Sequence, residues 1–184
     1  MSAFVLKIIA LLSMLIDHMG VVFPEYFGIE FRVVGRIAFP IFVFLVAEGF
    51  RHTKSPVKFL ARLFVFAIIS EPFFDLAFDN DINFLTRTNI FYTLFLGGVA
   101  ICICELADGI ATNAGGTETG RKIRYFFTSA VLISLLLVVA ELLTTDYGAY
   151  GVIFIFIMYI INKKAAALLP AGEAEEAQAE FISA

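Results

Sequence analysis

Lys7-Ile8-Ile9-Ala10-Leu11-Leu12-Ser13-Met14-Leu15-Ile16-Asp17-His18 is apolar enough to lie within a bilayer, yet it carries a lysine, an aspartate and a histidine. Ionisable side chains are costly in hydrocarbon, so three of them in one apolar helix point to a use. At about 100° per residue, the eleven positions from Lys7 to His18 make three turns plus roughly 20°. The two therefore share a helix face, about 16 Å apart along the axis, with Leu11 and Met14 between them. Asp17 lies one residue round from His18, close enough to share its end of the helix.

The rest of the chain has the same character. Hydrophobic residues are 60% of its 184 residues and charged ones 16%, and the mean hydropathy is +0.91. That is the composition of a membrane protein, with room for about six spans of roughly 20 residues. A net charge of -4 and the lack of a basic patch with interleaved aromatics argue against nucleic acid as a partner. Cys102 and Cys104 fall in an apolar run and read as small buried hydrophobes, so neither a metal site nor a disulfide is expected. The first apolar run is too long for a signal peptide and no small-residue cleavage site follows it, so it is expected to remain as a helix.

Six apolar runs follow in order: Phe4 to Phe23, Val33 to Phe50, Val57 to Phe78, Asn89 to Leu106, Ile123 to Leu143 and Ala149 to Ile161. They lack the polar stripe of a surface helix and the alternation of barrel strands, which predicts an all-α polytopic bundle of about six transmembrane helices. The last run is short and would need Tyr147 and snorkelling lysines to reach both interfaces. Pro40 and Pro72 are expected to kink their helices. Residues 1–164 form the membrane domain in this reading, and 165–184 an acidic Ala/Glu-rich cytoplasmic tail.

Lysines and arginines gather in the second connection (Arg51, Lys54, Lys58), in the fourth (Arg121, Lys122, Arg124) and after the sixth run (Lys163, Lys164). The other connections hold Glu25, Glu30, Asp79, Asp81 and Asp146 against Arg32 and Arg87. By the positive-inside rule both termini are cytoplasmic. Asp17, His18, Arg36, Glu71, Asp75, Asn89 and Asp146 then fall at the outer end of the bundle, with Lys7 and Glu48 on the inner side. Arg36 paired with Glu71 or Asp75 could equally be structural glue between helices. Asp146 and Asn89 read first as loop and capping residues, and His52 as a solvated residue of the basic loop. A histidine beside a carboxylate is suited to general-base work near neutral pH.

These residues sit in motifs that resemble the TraX family. They are Ile16-Asp17-His18-Met19-Gly20, Gly35-Arg36-Ile37-Ala38-Phe39-Pro40, Ala47-Glu48-Gly49-Phe50, Ser70-Glu71-Pro72-Phe73-Phe74-Asp75, Asn89-Ile90-Phe91-Tyr92-Thr93 and Asp146-Tyr147-Gly148. The family includes the F-pilin acetylase of conjugative plasmids and is grouped with the transmembrane acyltransferase superfamily, whose first helix carries a basic residue, ten residues and a histidine. Here that is Lys7 and His18.

The resemblance implies a multi-pass protein of the bacterial inner membrane that moves an acetyl group from acetyl-CoA to an amine or hydroxyl of a protein or glycan acceptor at the outer face. His18 is then the catalytic base, oriented by Asp17, with Arg36 or Asn89 stabilising the oxyanion. Glu71, Asp75 and Asn89 are the expected acceptor-binding residues, and Lys7 and Glu48 the donor-binding ones. Two further readings of the same polar groups are a transporter or proton relay and a non-catalytic membrane scaffold.

Overall fold

The computed structural model describes residues 3–78, 87–168 and 179. It contains seven helices: α1 (Ala3–Val22), α2 (Ile29–Gly35), α3 (Ala38–His52), α4 (Pro56–Phe78), α5 (Ile90–Asn113), α6 (Glu118–Leu142) and α7 (Gly148–Leu168). Among the described residues there is no strand, only an isolated bridge between Thr88 and Thr145. Asp79 and Asp81 lie outside the described residues, as does most of the acidic tail.

α2 and α3 together form one pass, Ile29–His52, broken at Arg36 and Ile37. The break has a chemical cause. Pro40 lacks an N–H and its ring would clash with the carbonyl four residues back, which is that of Arg36. The Phe39 N–H bonds that carbonyl at 3.3 Å instead, and the Ile37 N–H bonds Val34 O at 3.2 Å. Pro40 itself then sits in the first turn of α3, where proline is tolerated. Pro72, by contrast, lies within an unbroken α4.

Among the described residues, five segments are long and apolar enough to cross a membrane: α1, α2 with α3, α5, α6 and α7. α4 is as long, at 23 residues, but carries Lys58, Arg62, Glu71 and Asp75. α7 has 21 residues because the helix continues beyond the apolar run through Lys163 and Lys164 to Leu168. The expected long connection at 107–122 contracts to four residues, because α5 extends to Asn113 and Thr117 caps α6. Gly115 and Gly116, both with positive φ, make that tight turn.

α5 is the centre of the bundle, touching α3, α4, α6 and α7. Its Leu94 and Ile101 join Phe39, Val43 and Phe50 of α3 and Ile155 of α7 in the main core. α1 packs through a narrow stripe of small residues, Ala3, Ala10, Ser13 and Gly20, against α2 and α3. Gly35 lies against the backbone of Asp17, an approach that leaves no room for a side chain. The outward faces of α1 and α6 are exposed leucine, isoleucine, valine and phenylalanine, as lipid contact requires.

Candidate active site

A cavity of about 210 Å³ opens at the end of the bundle where α1, α4 and α6 finish and α3, α5 and α7 begin. Its polar lining is Asp17, His18, Ser70, Asn89, Asp146 and Tyr147, and phenylalanines of α3, α4 and α5 make much of the remaining wall.

His18 is half-buried and makes no hydrogen bond among the described residues. Aromatic edges hold it instead. The ring centroids of Phe78 and Phe74 lie 5.0 Å and 6.4 Å away at steep interplanar angles. The charges that act on it are those of Asp17, Asp146 and Arg87. Asp17 Oδ1 is buried without a partner among the described residues, and the Asp17 backbone is pressed against Gly35.

Behind the cavity, Glu71 and Asp75 of α4 are fully buried, spaced i,i+4. Asn89 caps α5 by accepting from the Phe91 N–H at 2.9 Å. Its backbone N–H donates to Glu71 Oε2 at 3.0 Å, and its side-chain amide donates to Ala67 O at 2.8 Å and also to Glu71 Oε2. One asparagine thus ties α4 to the start of α5.

Arg87 completes the rim. Its guanidinium bonds Asp146 at 2.5 Å and stands 5.7 Å and 5.8 Å from the Phe74 and Phe78 centroids. The next residue, Thr88, donates its N–H to Thr144 O and its hydroxyl to Leu143 O, each at 3.2 Å. These bonds lace the entry to α5 onto the α6–α7 turn. Tyr147, in that turn, stacks on Phe39 with centroids 3.6 Å apart and planes within 5°. Burial pushes its phenol up to about 12, Asp146 and Asp17 adding to the rise and Arg36 and Arg87 opposing it.

Of the residues singled out from sequence, Asp17, His18, Asn89 and Asp146 line the cavity, and Glu71 stands directly behind Asn89 with Asp75 one turn on. Arg36 is exposed at the α2–α3 break and does not line the cavity, although its charge reaches Tyr147. It makes no pair with Glu71, which is bonded to Asn89. Lys7 is exposed on α1. Glu48 lies towards the other end of α3, bonded to Arg51 and His52 at 2.8 Å and to Asn162 of α7 at 3.0 Å. His52 is therefore a bonded residue of α3, not the solvated loop residue expected from its basic neighbours. Arg87 and the ring pair Phe74 and Phe78 were not anticipated. The only trace of the rings in the sequence is that they flank Asp75 on the face Glu71 shares.

The sequence profile of the family described as TraX protein matches residues 2–174. A probable fimbrial assembly protein FimC, serogroup H1, of Dichelobacter nodosus is 31% identical over 176 residues, covering 89% of this chain. The chain spans 65% of that relative's length. An uncharacterized protein of Rickettsia prowazekii (strain Madrid E) is 33% identical over 93 residues, which is 50% of this chain and 33% of the relative. No solved structure matches. With nearly all of its helical bundle inside the profile, the chain belongs to the TraX family.

Proposed function

We propose that this protein is an integral-membrane acetyltransferase that acetylates an amine or hydroxyl presented at the His18 end of the bundle. The observation that carries the reading is His18 lining a cavity beside Asp17 and Asp146, with its imidazole free of hydrogen bonds among the described residues. An imidazole with no committed partner is available to take a proton, and a neighbouring carboxylate stabilises the imidazolium that results. General-base help of this kind contributes roughly 10²–10⁴-fold.

Acetyl-CoA, when bound, supplies an acetyl carbon activated as a thioester and departs as the thiol. The residues present fit its acyl end. The cavity is smaller than the about 300–1,000 Å³ that encloses a drug-sized ligand, and its walls are mainly aromatic, so a short acyl group suits it and the bulk of the coenzyme lies outside. Lys7, on the His18 face of α1, would hold donor phosphates, with Glu48 organising Arg51 and His52 at the same end. The basic residues of that end favour a cytoplasmic location for it, and so an outward-facing His18. Asp146 would face the acceptor across the cavity, with Glu71 holding Asn89 in place behind it. The fimbrial assembly role named for the Dichelobacter relative suggests a subunit of a surface fibre as the acceptor.

The test is thermal protection of the detergent-solubilised protein by coenzyme A. Protection that Lys7→Ala abolishes supports the donor site. No protection of the wild-type protein at saturating coenzyme A contradicts it.

A further inference from the structure

Transfer of an acyl group needs a hydrogen-bond donor where charge builds on the acyl oxygen, as well as a base. The side-chain donors that line the cavity can be accounted for one by one. Ser70 spends its single hydrogen on its own helix, with Phe66 O at 2.7 Å and Ala67 O at 3.3 Å. Asn89 spends both amide hydrogens, on Ala67 O and Glu71 Oε2. Arg36 does not line the cavity, and Arg87 stands at its rim with Asp146. His18 is needed as the base. Tyr147 remains: among the described residues its O–H has no hydrogen-bond partner.

The ring of Tyr147 is fixed from two sides. One face stacks on Phe39. Its Cβ lies so close to Gly151 that a side chain there would meet it at 2.6 Å, while the Gly151 N–H bonds Tyr147 O at 2.9 Å. A phenol on a fixed ring is a preorganised donor, which is the condition under which such a hydrogen bond is worth most. Its raised proton affinity also keeps it protonated at any physiological pH.

We propose that Tyr147 is a catalytic residue whose O–H donates to the oxygen of the acyl group held in the cavity. The assignment rests on the acyl-transfer reading above and names a part of the site that reading leaves open. In the transfer, the acceptor's lone pair forms its bond to the acyl carbon as His18 takes the acceptor's proton. The pair of the carbon–sulfur bond leaves with sulfur, to which His18 returns the proton. Tyr147 keeps its own proton throughout.

The experiment compares wild-type protein with Tyr147→Phe, which keeps the stacked ring and removes only the hydroxyl. The first readout is the infrared carbonyl stretch of carbonyl-labelled acetonyl-coenzyme A, a ketone that cannot transfer its acyl group. The second is turnover of acetyl-CoA. The stretch is expected at lower frequency on wild-type protein than on Tyr147→Phe. The kcat of the variant is expected to fall about 10²–10³-fold, with donor KM and thermal midpoint unchanged. An identical stretch on both proteins, with equal turnover, overturns the role of Tyr147 and leaves acyl transfer standing. If the wild-type protein neither binds the ketone nor transfers acetyl, the acyl-transfer reading falls and the role of Tyr147 falls with it.

Discussion

Glu71 and Asn89 are joined twice: one carboxylate oxygen of the glutamate receives both the backbone N–H and the side-chain amide of the asparagine. Both residues are buried, Glu71 completely. Removing the acceptor leaves two buried donors unsatisfied, each a loss of roughly 1–3 kcal/mol. Glu71→Ala is therefore expected to lower the stability of the purified protein by the two losses together, with Glu71→Gln closer to wild type because it keeps an acceptor oxygen. Unfolding in detergent measures both.

Gly35 and Gly109 make a contrasting pair. A Cβ on Gly35 would meet Asp17 Cα and N at 2.5 Å, backbone that cannot swing away, whereas one on Gly109 meets nothing within 4 Å. Gly35→Ala is expected to cost about 1–3 kcal/mol through overpacking and to displace the His18 end of α1. Gly109→Ala, inside α5, is expected to stabilise by up to about 1 kcal/mol. Thermal midpoints of the two variants check the difference in sign.

The Arg87–Asp146 pair bridges the entry of α5 and the α6–α7 turn, but the arginine side chain is 47% exposed. Solvent screening limits such a pair to roughly 0.2–1 kcal/mol. A double-mutant cycle with Arg87→Ala and Asp146→Ala is expected to give a coupling energy in that range. Their effect on acetyl transfer should exceed their effect on stability, because both charges act on His18.

Tyr147 carries a prediction in pH. Its phenol is held at about 12 in the folded protein against 10.0 ordinarily. The folded state keeps the proton that the unfolded chain loses first, so this contribution to stability is complete below about pH 10 and is lost as pH rises towards 12. The slope is at most roughly 1.4 kcal/mol per pH unit. Alkaline unfolding of Tyr147→Phe should lack this component.

The class of fold and the gathering of polar groups at one end were legible in the sequence, because span length and the cost of charge in lipid act residue by residue. Helix limits were less so. Arg36 falls inside one apolar run from Val33 to Phe50, and only the ring of Pro40 meeting its carbonyl turns it into a break. α7 ran longer than its apolar stretch because Asn162, Lys163 and Lys164 continue the helix, two of them bonded to Glu48 and Glu105 of other helices. What composition and spacing cannot carry is which donors are already spent. From sequence Asn89 is a site candidate and Tyr147 only an interface flank, whereas in the fold Asn89 is occupied by Glu71 and Ala67 and the Tyr147 O–H has no partner among the described residues.

Labelled acetyl transfer by purified protein, wild type against His18→Ala, tests the central claim most directly. Wild-type protein should move label from acetyl-CoA to an amine or hydroxyl acceptor, and His18→Ala should lose roughly 10²–10⁴-fold of that rate while still being protected by coenzyme A. Equal transfer by the two proteins would contradict the account.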